Sequence, residues 1–428
     1  MLQGKQRIEA ARTLLPRTFA SFRSYNYRLF WCGQLVSQMG TWMQRIAQSW
    51  LVLELTHSPD KLGIVTALQF APILFLSLFA GVWVDRLPKH RMLIVTQTLA
   101  LGQSLVLAIL TLAGNIQLWQ IYLLALALGA INAFDNPTRQ AFVMEMVGRE
   151  NIVNAVALNS AQFNGSRLVG PAIGGLIIAA SSVGICFLIN AISFLAVLIG
   201  LLMMRRDQFY NVGPRRRSTE PVGVQLRQGL SFVFGRRDLS VVIVVSSVIA
   251  CFGYNFNVIM PLMAQTGFAA GADAFGFLMA AIGVGSLIAA FAVATLGRST
   301  LHLLLYGSIA FGALEILTAA SPWFLLALAL LVGVGYAGVL VTSSANTQLQ
   351  LSAPDALRGR VMSVYSLMFT GVTPIGALVT GFLADAVHVR WTLGLEASLC
   401  VLVPLCALFY VNRLGPAPVA QPELASTA

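Results

Sequence analysis

Charged side chains are scarce in this chain. Lys, Arg, Asp and Glu make up 10% of the 428 residues while hydrophobic types make up 57%, too little charge to cover a water-soluble protein of this size. The cysteines, Cys32, Cys186, Cys251, Cys400 and Cys406, are few, odd in number and without C-x-x-C or metal-ligand spacing. They support neither a disulfide framework nor a thiolate metal centre and read as small apolar residues. His302 and His388 fall near loop ends and read as solvated. The sequence also lacks G-x-x-x-x-G-K-[ST], H-E-x-x-H and a strand-turn-helix G-x-S-x-G. Nucleotide-driven pumping by this chain, zinc-dependent catalysis and serine hydrolysis therefore have no support, and the expectation is a non-enzyme with no cofactor, metal or nucleic-acid partner.

What the chain has is long apolar runs. A helix needs about 20 residues to cross a ~30 Å hydrocarbon core. Runs of that order fall at 27–54, 61–83, 92–113, 118–139, 152–180 and 184–204, and again at 240–264, 274–296, 301–319, 322–348, 360–384 and 391–412. These twelve spans predict an all-α integral membrane protein in two six-helix bundles. The expected segments are 1–26 (cytosolic), 27–204 (first bundle), 205–237 (hydrophilic central loop with Arg215, Arg216 and Arg217), 238–412 (second bundle) and 413–428 (cytosolic tail).

The net charge of +11 is distributed as topology signals rather than as a nucleic-acid patch. With the N-terminus in the cytosol, 23 of the 27 Lys and Arg residues fall on the cytosolic side, with only Lys61 and Arg390 opposite and Arg45 and Arg167 inside spans. Both termini are expected in the cytosol and the protein in the inner or plasma membrane. The basic N-terminus lacks a short apolar core with a cleavage site, so no removable signal is expected.

The halves share spacings. Asn136 and Gln140 correspond to Asn346 and Gln350 at an offset of 210, and Gly165, Gly170 and Gly175 correspond to Gly371, Gly376 and Gly381 at 206. A parallel six-span repeat is one way transporter folds are built, with substrate bound near the midplane.

Between spans two and three, Gly81-Val82-Trp83-Val84-Asp85-Arg86-Leu87-Pro88-Lys89-His90-Arg91 resembles the signature loop of the major facilitator superfamily. Gly81, Asp85, Arg86, Lys89 and Arg91, with Asp135 and Arg139 one helical turn apart in span four, form the expected gating group. Ser166-Arg167-Leu168-Val169-Gly170-Pro171-Ala172-Ile173-Gly174-Gly175 resembles the GPxxGG element of exporters and antiporters in that superfamily, with Ser166 where the family has glycine. Asp135-Asn136-Pro137-Thr138-Arg139-Gln140-Ala141-Phe142 and Leu53-Glu54-Leu55-Thr56-His57-Ser58-Pro59 are similar to the branch holding enterobactin exporters and macrolide efflux proteins, and the resemblance spans residues 20–412. Ala125 stands four residues before Gly129, where many drug/proton antiporters carry arginine, so that coupling role does not transfer. Thr295-Leu296-Gly297-Arg298-Ser299 keeps little of the signature loop in the second half, and the two gates are expected to be unequal.

Polar residues within spans complete the reading. Gln34, Gln38, Thr41, Arg45 and Gln48 recur at spacings of 4, 3, 4 and 3, a stripe down one face of span one. A charge at the bilayer centre costs about 2.5–3.5 kcal/mol on insertion scales, so Arg45 faces either a cavity or a partner. Asn159, Gln162, Ser166 and Arg167 form a second polar patch; substrate binding and bundle cohesion both fit it. Tyr254, Asn255, Asn257, Asn346, Gln348 and Gln350 are cavity or glue candidates in spans seven and ten. Glu315 and Glu396 are the deepest carboxylates of the second half, either proton carriers or structural partners. The resemblance implies a monomeric secondary transporter exporting a drug or siderophore-like amphipathic molecule in exchange for protons, in contact with membrane lipid. A facilitator importing a nutrient or moving a lipid is the alternative, and a non-transporting membrane scaffold or sensor is a third class.

Overall fold

The computed structural model describes residues 19–210, 222–296 and 300–414. No strand occurs among them. The first bundle comprises α1 (Tyr25–Thr56), α2 (Pro59–Arg86), α3 (Lys89–Leu112), α4 (Leu118–Val147), α5 (Ile152–Ala180) and α6 (Val183–Leu202). A surface helix, α7 (Val222–Phe234), precedes the second bundle. That bundle holds α8 (Arg237–Gly267), α9 (Ala272–Leu296), α10 (Leu301–Ala320), α11 (Phe324–Ser352), α12 in two parts (Asp355–Thr370 and Thr373–Val387) and α13 (Val389–Leu414). All twelve expected spans are present as helices.

Helix ends follow local chemistry. Ser24 accepts from the Tyr27 N–H at the start of α1, and Thr300 from the Leu303 N–H at the start of α10, each satisfying an orphan donor. His57 (φ 49°) ends α1 and Gly148 (φ 72°) ends α4 in left-handed backbone. Helix α12 breaks at Gly371 and Val372, just before Pro374, which has no amide hydrogen to continue the ladder. Helix α8 is interrupted by two π-helical turns, Ile249–Gly253 and Met263–Gly267, a distortion that recurs at functional positions.

Among the described residues, ten of the twelve spanning helices are long and apolar enough to cross a membrane on composition alone. The other two, α1 and α5, are the ones with polar patches. Both are long, 32 and 29 residues, so their shortfall is polarity, which protein or water must face.

The central stretch departs from expectation. Residues 205–237, read as a loop, contain a 3₁₀ turn, Arg206–Gln208, and helix α7. Leu226, Leu230 and Val233 recur at helical spacing, so α7 has an apolar stripe. Val233 is fully buried, Gln228 accepts from Arg360, and a Cβ on Gly229 would lie 2.8 Å from the Arg360 carbonyl oxygen. Arg215, Arg216 and Arg217 lie outside the described residues, as do Gly297, Arg298 and Ser299 of the expected weaker gate.

Within the first bundle α1 packs on α5 and α6, α2 on α4, and α3 on α6; within the second, α11 packs on α9 and α10, and α10 on α13. The bundles meet mainly through two crossings, α5 on α9 and α2 on the second part of α12. In both, glycine faces glycine. A Cβ on Gly175 would lie 2.7 Å from the Ala272 oxygen and 2.9 Å from Gly276 Cα; one on Gly381 would lie 2.8 Å from Gly63 Cα and 2.9 Å from the Pro59 oxygen. Such backbone contact is how helices associate where lipid removes the hydrophobic drive. Each glycine pair lies near the end of the molecule away from the described chain ends, Gly63 and Gly276 early in their helices and Gly175 and Gly381 late.

Candidate functional site

The polar stripe of α1 and the patch of α5 meet around Trp42. The Arg45 guanidinium sits 4.5 Å from the Trp42 ring centroid and that of Arg167 5.9 Å from it, within the range of cation–π attraction. Phe163 meets the same indole edge-on at 5.7 Å. Both arginines are half-buried, and among the described residues neither has a carboxylate partner. Across the interface Arg167 lines a pocket with Tyr254, Phe256, Ser286 and Phe311 of the second bundle.

Other α1 positions are buried differently. Gln34 and Gln48 are buried with amide atoms that no protein group partners; Gln38 is half-buried and Thr41 donates to the Ser37 carbonyl at 2.9 Å. On α5, Gln162 and Ser166 are buried and each has one unpartnered polar atom. Asn346 donates to the Thr342 carbonyl at 3.1 Å.

The GPxxGG-like element divides between two tasks. A Cβ on Gly170 would lie 2.7 Å from Trp42 Cβ, and one on Gly174 3.2 Å from Met43 Cα, so these two seat α5 on α1 inside the first bundle. Gly175 faces Gly276 of the other bundle, and the Pro171 carbonyl lies 2.7 Å from the Cβ position of Gly276.

A second cluster lies wholly in the second bundle. Glu315 is 1% exposed with both carboxyl oxygens unpartnered. Glu396, 2% exposed and within electrostatic reach of Glu315, accepts from the Thr380 hydroxyl at 2.6 Å and leaves its other oxygen unpartnered. Asn255 donates to Thr380 at 2.7 Å and to the Cys251 carbonyl, also at 2.7 Å. Asn255, expected in the substrate cavity, lies just after the π-helical turn Ile249–Gly253 and is linked to Glu396 through the Thr380 hydroxyl.

At the end near the chain termini, Asp135 accepts from Thr96 at 2.7 Å and Gln97 at 2.8 Å and pairs with Arg139. Lys89 pairs with Glu145 at 2.7 Å. Arg91 is exposed. Gly81, Asp85 and Arg86 close α2, and their side chains lie outside what the structure describes.

Sequence reasoning missed the hub of the first bundle. Gln44, 1% exposed, donates to Gln103 at 3.1 Å and accepts from Ser104 at 2.7 Å and Asn190 at 2.6 Å, joining α1, α3 and α6. Its signal was a set of polar residues, Gln44, Gln103-Ser104 and Asn190, within three apolar runs. Gly63 and Gly276 were missed as well, although Asp60-Lys61-Leu62-Gly63 and Asp273-Ala274-Phe275-Gly276 repeat one Asp-x-x-Gly spacing at the start of α2 and α9.

This two-bundle arrangement coincides with a family model described as transmembrane secretion effector, which matches residues 16–423. The chain belongs to that family of major facilitator transporters. Among curated relatives, the Staphyloferrin A transporter of Staphylococcus aureus is 24% identical over 90% of this chain and 96% of that protein. The Multidrug efflux pump Tap of Mycolicibacterium fortuitum is 27% identical over 90% and 96%, and the Enterobactin exporter EntS of Shigella flexneri 24% over 83% and 84%. Of solved structures, a bacterial homolog of the human lysosomal transporter Spinster, inward-facing and unoccupied, superposes with a TM-score of 0.74 at 12% identity, covering 93% of this chain and 99% of that one. The nucleoside transporter NupG gives 0.72 at 11% identity, covering 90% and 98%. These structures establish the fold: this facilitator is a multi-pass membrane transporter with twelve spanning helices.

Proposed function

We propose that this facilitator exports a drug- or siderophore-like amphipathic molecule from the cell by proton antiport, with both termini in the cytosol of a cell-membrane protein. The reading rests most on two separate polar sites: a cationic, aromatic cluster at Trp42, whose Arg167 lines a small pocket against the second bundle, and a buried carboxyl pair, Glu315 and Glu396, within the second bundle. Ionisable groups embedded in a membrane are expensive to insert, and those retained mark substrate and proton paths. Tyr254, within electrostatic reach of both Arg167 and Glu315, stands between the two sites. The efflux and export roles that the names of two relatives carry support the direction.

Glycine contacts close the end away from the termini, and in this reading the Trp42 cluster is reached from the side of the termini. The positive-inside distribution assigns that side to the cytosol, so cargo loads from within. Protonation of the carboxyl pair from outside then resets the cycle. The test uses inverted membrane vesicles energised to an acid interior. Adding a transported compound should dissipate the pH gradient in vesicles holding the protein, and not in vesicles holding Glu315→Gln with Glu396→Gln. Equal dissipation in both would remove proton antiport through these groups.

A further inference from the structure

The Trp42 cluster's charge has one sign. Arg45 and Arg167 converge on a single indole, lie within electrostatic reach of each other, and among the described residues have no carboxylate partner. Two like charges brought together while half-buried repel, and a fixed counter-charge from the fold would normally relieve this. The buried carboxyl pair, Glu315 and Glu396, belongs to α10 and α13 of the other bundle, where Glu396 is partnered by Thr380.

We propose that Arg45 and Arg167 form an anion site that selects a cargo bearing a carboxylate or similar oxyanion next to an aromatic or apolar body. The guanidinium supplies a planar fork that fits a carboxylate bidentately, which lysine does not. Trp42 and Phe163 meet edge-on beside the two guanidinium groups, and Tyr254 lines the pocket at Arg167; these rings would flank the cargo body. Ser166 and Gln162 each have a buried, unpartnered polar atom on α5 beside Arg167, available to a second oxygen of the ligand. A cationic cargo meets the opposite condition, since it would be held beside two guanidinium groups with no acid among the described residues of the cluster to receive it. The inference rests on the transporter reading above and adds the charge of its cargo.

The test measures equilibrium binding to the purified full-length protein at neutral pH, using radiolabelled 2-naphthoate and its matched cation 2-naphthylmethylammonium. The expected result is naphthoate binding at least tenfold tighter than the amine. Arg45→Gln and Arg167→Gln should each weaken naphthoate at least tenfold, while Arg45→Lys and Arg167→Lys lose less, as charge remains without the fork. Amine binding as tight as naphthoate, or no naphthoate binding by the wild type, overturns the proposal. So does unchanged naphthoate affinity in both Gln variants. If those variants do not fold, the matched-pair comparison on the wild type decides alone. Export of a cation by a protein that ignores naphthoate would sink the anion site and leave the exporter reading standing. Naphthoate binding with no transport would do the reverse.

Discussion

Replacing Gly175 by valine probes the crossing that holds the bundles together at the end away from the termini. The first added carbon would sit 2.7 Å from the Ala272 carbonyl oxygen and 2.9 Å from Gly276 Cα, both backbone atoms that cannot rotate aside. Overpacking of this kind costs about 1–3 kcal/mol. The cost falls on the state with this end closed and is relieved when the helices part. A difference of that size shifts a two-state equilibrium about 5- to 150-fold. Spin labels at Ser182 and Ala270, in a background cleared of the five native cysteines, would report the separation by double electron–electron resonance. The expected outcome is a longer, newly dominant distance in Gly175→Val, reproduced by Gly276→Val and by Gly381→Val at the other crossing. A distance distribution identical to that of the parent, in a variant that is folded and monodisperse, would refute the assignment of this contact as a closed gate.

Three further outcomes follow from the geometry. Asp135→Asn should destabilise the protein by about 1–3 kcal/mol, the range for a buried hydrogen-bonding group left badly paired. The 3–5 kcal/mol of a fully buried ion pair is not reached because the Arg139 side chain is 21% exposed; thermal unfolding in detergent measures it. Arg390→Ala should cost a comparable amount, since its guanidinium donates to the carbonyls of Ala319, Ser321 and Gly267 at 2.9, 2.5 and 2.8 Å and ties α8 to α10; a melting temperature within a degree of wild type would contradict that role. Gln44→Leu should loosen the first bundle by leaving Gln103, Ser104 and Asn190 without their common partner, seen as faster hydrogen exchange across the facing segments of α3 and α6.

Much of the architecture was legible because a bilayer imposes a length on every helix, and runs of apolar residues reveal that length without knowledge of contacts. The stripe of α1 was legible for the same reason, since its 4, 3, 4, 3 spacing is a property of one helix. What escaped depends on two elements at once. Gln44 lies one residue from Arg45 and off the stripe, so only its meeting with Asn190 and Ser104 shows its part. Gly63 and Gly276 are ordinary glycines until α12 and α5 lie across them. The link from Asn255 through Thr380 to Glu396 joins three helices, and a π-helical turn precedes Asn255, which a steady 3.6-residue period does not anticipate. Helix α7 escaped because the arginine-rich stretch before it dominated the composition of residues 205–237.

The central claim is coupled, charge-selective transport, and reconstituted protein tests it most directly. Proteoliposomes with an acid interior should accumulate external 2-naphthalenesulfonate, an anion that stays charged and does not cross lipid unaided. Accumulation should exceed that in protein-free liposomes, collapse when the pH gradient is dissipated, and vanish in Glu315→Gln with Glu396→Gln. Accumulation that ignores the gradient, or that survives loss of both carboxylates, would contradict the account, as would a panel of aromatic anions and cations in which nothing moves.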